Sequence, residues 1–293
     1  MIMNRRNALR TLGALSGTMA FSGLKNRIEA ADKKLEEHGL KGNINHCVTR
    51  WPYGSLTLEE LCRACVDIGI KGLELVGPDS FETIKKYGLD CPMCNGAEPG
   101  LHIGFSHPDI HSSLKESYEK IIPQVAEAGF KNLICFSGNR DEMDDETGIR
   151  NFVEGVKPVL QIAEKHGVVI CLEMLNSRVD HVGYMADTTA WAVEVVDRVG
   201  SDNLKLLYDI YHMQIMEGDI ISRIREFHDY FAHYHTGGVP GRNEIDETQE
   251  LYYPAIMRAI VETGYDGYVG QEFIPSRDDA LASLIQAIEI CDV

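Results

Sequence analysis

The chain has 293 residues, of which 44% are hydrophobic and 25% charged, and its formal net charge is −17. Those proportions are ordinary for a soluble globular enzyme. The negative charge opposes non-specific binding to DNA, RNA or anionic lipid, because such binding is driven by Lys and Arg displacing counterions.

In chain order, the first feature is the stretch from Met3 to Leu24, MNRRNALRTLGALSGTMAFSGL. A twin arginine, Arg5 and Arg6, precedes a moderately apolar run rich in Gly, Ala and Ser, as in a twin-arginine export signal. The run is too short and too interrupted to span a bilayer as a stable helix. Residues 1–30 are therefore expected to be a signal, with Ala30 and Ala31 as candidate cleavage points and no stable membrane insertion after processing. Export to the periplasm follows from that reading. An amphipathic N-terminal helix of the mature protein is the alternative. The charged stretch that follows, residues 31–42, reads as a linker.

From residue 43 onward, short apolar runs alternate with longer amphipathic segments. Strands are expected at 43–48, 72–76, 91–97, 132–137, 168–175, 204–211, 231–236 and 268–273. Helices are expected at 57–68, 79–87, 113–128, 146–166, 185–199, 219–230, 253–263 and 278–291. Gly69, Gly88, Gly129, Gly167, Gly200 and Gly264 fall where a helix wants a left-handed terminal residue. Strand–helix units in strict order, with continuously apolar strands, imply a parallel sheet with helices outside it. Eight of them over about 250 residues is the expectation for a (β/α)8 TIM barrel. An open doubly wound sheet is the rival, but no GxGxxG follows a strand and no P-loop appears. With no shift of composition inside 43–293, that span is one domain.

The eight cysteines are scattered. Cys62/Cys65 and Cys91/Cys94 have CxxC-like spacing, yet no second pair stands at zinc-finger distance, so they read as structural.

The strand expected at 168–175, VVICLEML, carries a carboxylate, Glu173, in an otherwise apolar run. Burying an unpaired carboxylate costs several kcal/mol or more, so a cation or a polar pocket must meet it. Three following strands repeat the pattern: LKLLYDIYH places Asp209 late, AHYHTGG has His233 and His235 on one face with His235 the last of them before the Gly turn, and YVGQEF places Glu272 late. In a barrel all four would converge above the carboxyl ends of the strands, where such folds keep their active sites. Three carboxylates so crowded would repel unless something positive sat among them. Three hard oxygens and one imidazole suit Mn²⁺, Mg²⁺ or Co²⁺, with Zn²⁺ less matched to an oxygen-rich set. Taken singly, each residue has a plainer explanation. Glu173 could be a salt-bridge partner, with Lys205 on the neighbouring strand as a counter-ion for it or for Asp209. Asp209 could simply cap the next helix, and His235 could be a hydrogen-bonded core residue.

The segments CLEMLN (171–176), YDIYHMQIMEGD (208–219), HYHTGGVPGRNE (233–244) and GYDGYVGQEFIP (264–275) resemble hydroxypyruvate isomerase and its relatives in the xylose-isomerase-like TIM-barrel superfamily, which includes the ketose 3-epimerases. The resemblance implies a divalent metal held by Glu173, Asp209, His235 and Glu272, with Glu173 and Glu272 as the acid–base pair. It also implies substrate contacts from His212 and Arg242. His235 matches the 3-epimerases, where hydroxypyruvate isomerases commonly have Gln. The implied chemistry is isomerisation of a small hydroxy-carbonyl compound or sugar through an enediolate. A ketose 3-epimerase, or a dehydratase of an inosose or keto-sugar, is the alternative on the same site. Further from it stand a non-catalytic sugar-binding barrel and an apurinic endonuclease, the latter opposed by the net charge of −17. His46, His102 and Asn176 are expected either to shape the substrate pocket or to serve as scaffold. The expected partners are a small-molecule substrate and, as in many barrels, a second copy of the chain.

Overall fold

The computed structural model describes residues 39–293. The expected signal and all but the end of the linker lie outside the described residues. Among the described residues, seven strands form one parallel sheet in the order β2-β1-β7-β6-β5-β4-β3. They are β1 (Asn45–Thr49), β2 (Gly72–Glu74), β3 (Asn132–Cys135), β4 (Val169–Glu173), β5 (Leu204–Asp209), β6 (Phe231–Thr236) and β7 (Tyr268–Gln271). Nine helices accompany them: α1 (Leu58–Ile68), α2 (Pro78–Lys86), α3 (His111–Ala128), α4 (Asp145–His166), α5 (Thr189–Val199), α6 (Ile210–Met216), α7 (Ile220–Phe227), α8 (Tyr253–Glu262) and α9 (Ala280–Cys291).

The strand expected at 91–97 is not a regular strand, but its backbone still closes the barrel between β2 and β3. Leu73 N donates to Asp90 O and Leu75 N to Met93 O on one side. On the other, Cys94 N donates to Asn132 O and Ile134 N to Cys94 O. Pro92 has no N–H to offer, which interrupts the ladder. Gly72 accommodates the close approach, since a Cβ there would come within 2.7 Å of both Pro92 Cγ and Cys47 Cβ.

Local chemistry accounts for the helix ends. Thr57 and Glu60 form a reciprocal capping box at the start of α1, and Gly69 ends it in the left-handed region. Helix α5 starts at Thr189 rather than 185, because the Thr188 hydroxyl accepts from Trp191 N. Residues 174–188 are thereby left as a loop between β4 and α5. After β5 the expected strand runs two residues too far: Asp209 caps the short helix α6, which begins at Ile210. A brief apolar run such as IYHMQIM does not by its period distinguish strand from helix.

The core fills the barrel interior and the layer between sheet and helices, and all eight cysteines lie in it, buried and free. No helix among the described residues is long and apolar enough to cross a membrane. Residues on either side of the barrel seam are tied together, with Lys41 N donating to Asp292 Oδ2 (2.8 Å) and Asn43 Nδ2 to Val293 O (2.7 Å).

Candidate metal centre and active site

Strands β4, β5 and β6 end on or next to Glu173, Asp209 and His235, and Glu272 follows β7 directly. One ligand atom from each of these four buried residues lies within 4.8 Å of the others. The period of two along parallel strands in register makes this inevitable once the barrel closes: Asp209 stands opposite His235, and His235 opposite Gly270.

His235 Nδ1 is 2.8 Å from Glu272 Oε2 and 3.4 Å from Glu173 Oε1. Neither approach has hydrogen-bond alignment, and His235 Nδ1 and Glu173 Oε1 are left without a partner. Buried polar atoms are normally paired, so this convergence of unpaired lone pairs fits a divalent cation. Oxygen-rich coordination with one imidazole suits a hard ion.

Asp209 serves two ends at once. Its Oδ1 accepts from Tyr211 N (2.8 Å) and His212 N (3.3 Å), capping α6. Its Oδ2 faces Arg242 Nη2 at 3.4 Å. Arg242 also donates to Glu272 Oε2 (2.6 Å), and its guanidinium lies over the rings of Trp51 and Tyr211. Its backbone is left-handed, with φ 58°, a conformation that costs a side-chain-bearing residue energy. That turn is held by Arg242 N donating to Gly238 O and Ile274 N donating to Arg242 O.

The acidities follow the neighbours. Burial pushes Glu173 up, with Glu272 adding to it and His235 opposing. Burial would raise Glu272 too, but Arg242 and His235 outweigh it and hold that carboxyl well below the usual range. Asp209 is pushed up to about 8 by burial, against the pull of Arg242. Burial disfavours a charged His235, yet the surrounding carboxylates prevail and hold it well above the ordinary imidazole value. Both the raised imidazole and the crowded carboxylates express a demand for positive charge that a divalent cation would meet.

His212 is fully buried. Asn176 Oδ1 accepts from Val179 N and Asp180 N, which orients the amide so that Nδ2 donates to His212 Nδ1 at 2.6 Å. The proton of the neutral ring is therefore on Nε2, which lies 3.6 Å from Asp209 Oδ2 and has no hydrogen-bond partner. Burial, then Arg242, holds this histidine well below its ordinary value, so it is a neutral donor.

Asn176 is thus scaffold for His212, its amide spent on the loop. Two other expected residues stand elsewhere. His46 is early in β1 and turns toward Asp292 (3.7 Å), because its neighbour Cys47 takes the inward-facing place of the alternation. His102 is exposed on the loop before α3, where its backbone carbonyl accepts from Asn139 N. Lys205 is no counter-ion for the site: its Nζ donates to Asp229 O (2.9 Å) at the opposite, amino-terminal end of the barrel.

A cavity of about 460 Å³ opens above the cluster, lined by Glu173, Glu272, Arg242, His181, Trp51 and Glu98 among others. Trp51, Glu74 and His181 are the residues that reasoning from strand ends passed over. Trp51 follows β1 at the carboxyl end, and its Nε1 donates to Glu272 Oε1 (2.8 Å). Glu74 ends β2 inside another apolar run, GLELV, the same signature that marked Glu173.

Residues 18–291 match the family model described as a xylose isomerase-like TIM barrel. A provisionally named hydroxypyruvate isomerase of Homo sapiens is 28% identical over 263 residues, covering 88% of this chain and 86% of that protein. The D-psicose 3-epimerase of Ruminiclostridium cellulolyticum is 37% identical over 198 residues, 63% of this chain and 64% of that one. Among solved structures, a family 2 AP endonuclease from Brucella melitensis superposes with a TM-score of 0.74 over 82% of this chain and 97% of that one. At 24% identity that likeness speaks for the fold alone. The closed parallel barrel, the carboxylates gathered at the ends of its strands and a family match spanning nearly the whole chain agree: the chain belongs to the xylose isomerase-like TIM barrel family.

Proposed function

We propose that this protein isomerises or epimerises a small hydroxy-carbonyl compound by proton transfer between Glu173 and Glu272, with Glu173, Asp209, His235 and Glu272 holding a divalent cation. The observation that carries the reading is the pair of buried glutamates flanking one point at the wall of a cavity of about 460 Å³. When bound, the cation supplies Lewis-acid polarisation of the substrate's vicinal oxygens.

The chain's own residues would do the rest. Glu272, held ionised by Arg242 and steadied by Trp51, is suited to take a proton from the carbon beside the carbonyl. Glu173, whose Oε1 faces the site without a hydrogen-bond partner, is placed to return one. Return to the adjacent carbon gives isomerisation, and return to the opposite face gives epimerisation, with an enediolate between the two steps in either case. His212 Nε2–H and the Arg242 guanidinium would donate to substrate oxygens, and the burial of the site keeps those donors from being satisfied by bulk water.

Within that reading, a ketose 3-epimerase is favoured by the charge around the cavity. Among the lining residues Arg242 is the fixed cation, and it is already shared between Glu272 and Asp209. Glu98 adds a further carboxyl group. Such a pocket suits a neutral sugar better than a substrate that carries its own carboxylate. Arg277 offers no anion clamp, since it is engaged by Asp246 and Gln286.

The test is to load the protein with Mn²⁺ or Mg²⁺ and incubate it with hydroxypyruvate and a panel of ketoses in deuterated water, with NMR detection under Mg²⁺. Interconverted products, deuterated beside the carbonyl where the transferred proton exchanges, support the reading and name the substrate. Loss of water from the substrate would replace it with a dehydratase. Stoichiometric cation without turnover of any substrate would leave a binding barrel.

A further inference from the structure

One buried acid plays no part in that chemistry. Glu74, at the end of β2, has no solvent exposure. Its Oε1 is hydrogen-bonded to His235 Nε2 at 3.1 Å, and its Oε2 lies 2.8 Å from His233 Nε2 without hydrogen-bond alignment. Strand β2 is not a neighbour of β6, because β1 and β7 intervene. The contact therefore spans part of the barrel interior.

Gly270 makes it sterically available. It stands on β7 in register with His235 on one side and Cys47 on the other. A Cβ at this position would lie 2.0 Å from Glu74 Oε1 and 2.9 Å from His235 Cδ2. Any other residue at 270 would occupy the space through which the carboxylate reaches the imidazole. Glycine within a strand commonly marks such an approach.

The consequence for His235 follows from donor and acceptor counting. An ionised carboxylate only accepts, so the hydrogen of the Glu74–His235 bond is on Nε2. In the neutral ring Nδ1 is then the bare nitrogen, and Nδ1 is the atom turned toward Glu173 and Glu272. Metal-ligating histidines are commonly oriented by a carboxylate on their other nitrogen. We propose that Glu74 is a positioning residue that fixes the tautomer and ring plane of His235 so that Nδ1 is presented to a cation, and that glycine is required at 270 to admit it. This rests on the reading of Glu173, Asp209, His235 and Glu272 as a cation centre.

The full chain, stripped of metal, can be titrated with Mn²⁺ while the free ion is followed by electron paramagnetic resonance. Wild type, Glu74→Ala, Glu74→Gln, Gly270→Ala and the double variant Glu74→Ala/Gly270→Ala are compared. The melting temperature of each metal-free protein serves as a folding control. Wild type is expected to bind one ion. Glu74→Ala and Gly270→Ala should each weaken Mn²⁺ binding by about 10–100-fold. Glu74→Gln, whose amide oxygen can still accept from Nε2–H, should fall between them and wild type. The double variant should be no worse than Glu74→Ala, because both changes act through one contact. Nitrogen-15 NMR of the histidines provides a second readout: the metal-free Glu74→Ala protein should lose the hydrogen-bonded Nε2–H signal of His235.

Unchanged Mn²⁺ affinity in folded Glu74→Ala and Gly270→Ala proteins would overturn the proposal and leave Glu74 a core ion-pair partner. Cys47, Glu74 and His233 also place ligand atoms within 4.8 Å of one another. Two ions per wild-type chain, one of them lost with Glu74, would overturn it as well, making Glu74 the ligand of a separate ion. A wild-type chain that binds no divalent ion would sink the cation-centre reading, and with it this proposal. Normal wild-type binding with indifferent variants would sink the proposal alone.

Discussion

Glu173 and Glu272 are chemically identical side chains in unlike surroundings, and that difference is what the proposed reaction needs. Glu272 accepts from Trp51 and Arg242, whereas Glu173 Oε1 has no hydrogen-bond partner. Glu173→Gln and Glu272→Gln should each lower turnover by at least about 10²–10⁴-fold, the range for losing a general acid or base. Steady-state kinetics at saturating Mn²⁺ would check this, with circular dichroism to confirm an intact barrel. Asn176→Ala removes the amide that holds His212 Nδ1 and should release the ring to its other tautomer. We expect kcat/KM to fall about tenfold or more and stability by about 1–3 kcal/mol, the cost of unpairing a buried polar group. An unchanged kcat/KM would mean that His212 does not donate to the substrate. Residues at this scale were readable in the sequence where strand period and strand end coincided, which is why Glu173, Asp209, His235 and Glu272 fall together. The same logic could not reach Trp51, whose role as a donor to a carboxylate depends on a turn that no periodicity describes. Glu74 carries the same signature as Glu173, an acid late in an apolar run, but the contact that gives it a role is made across the barrel and through the space left by a glycine, which no strand period describes.

At the scale of elements, the site depends on the loop from β6 to α8, which carries Arg242 and is fastened by Glu244. The Glu244 carboxylate accepts from Ser276 N and Oγ, Arg277 N and Ser283 Oγ, binding this loop to the segment after β7 and to α9. Burial would raise its pKa, but these donors prevail and hold it down, at about 2. A carboxyl depressed on folding stabilises the native state fully above its unfolded value, and that contribution is lost as pH falls through the folded one. Glu244→Gln should therefore flatten the loss of stability between about pH 4.5 and pH 2, seen as a smaller change in urea midpoint across that window. An acid transition unaltered by the substitution would place the sensitivity elsewhere. Most elements were recoverable from alternating apolar runs and glycine stops. The exceptions have local causes: Pro92 breaks the ladder in the expected third strand, and Asp209 starts a helix where apolar residues continue.

For the whole molecule, a cation held by the three crowded carboxylates and the one imidazole should add to the barrel's stability. A cation that binds only the folded state at about 100 times its Kd adds about 2.7 kcal/mol. For a domain of this size that corresponds to about 5–10 °C in melting temperature. Chelation should reverse the gain and abolish turnover together, and calorimetry with and without EDTA would show it. A melting temperature indifferent to every divalent ion would count against the centre. The twin-arginine reading of residues 1–30 predicts that the protein made in a bacterium with that export route appears in the periplasmic fraction, and that Arg5→Lys/Arg6→Lys retains it in the cytoplasm.

The tie between Lys41 and Asp292 has a further consequence. The chain enters the barrel and leaves it at one spot, at the amino ends of the strands, a barrel's length from the cavity. Whatever is attached there, whether a carrier, a surface or a second enzyme, would hang the protein with its mouth facing outward. The same adjacency means that a short peptide could join the two sides of the seam and new ends be opened in an exposed loop, so that the order of the staves along the chain could be rewritten without moving the site.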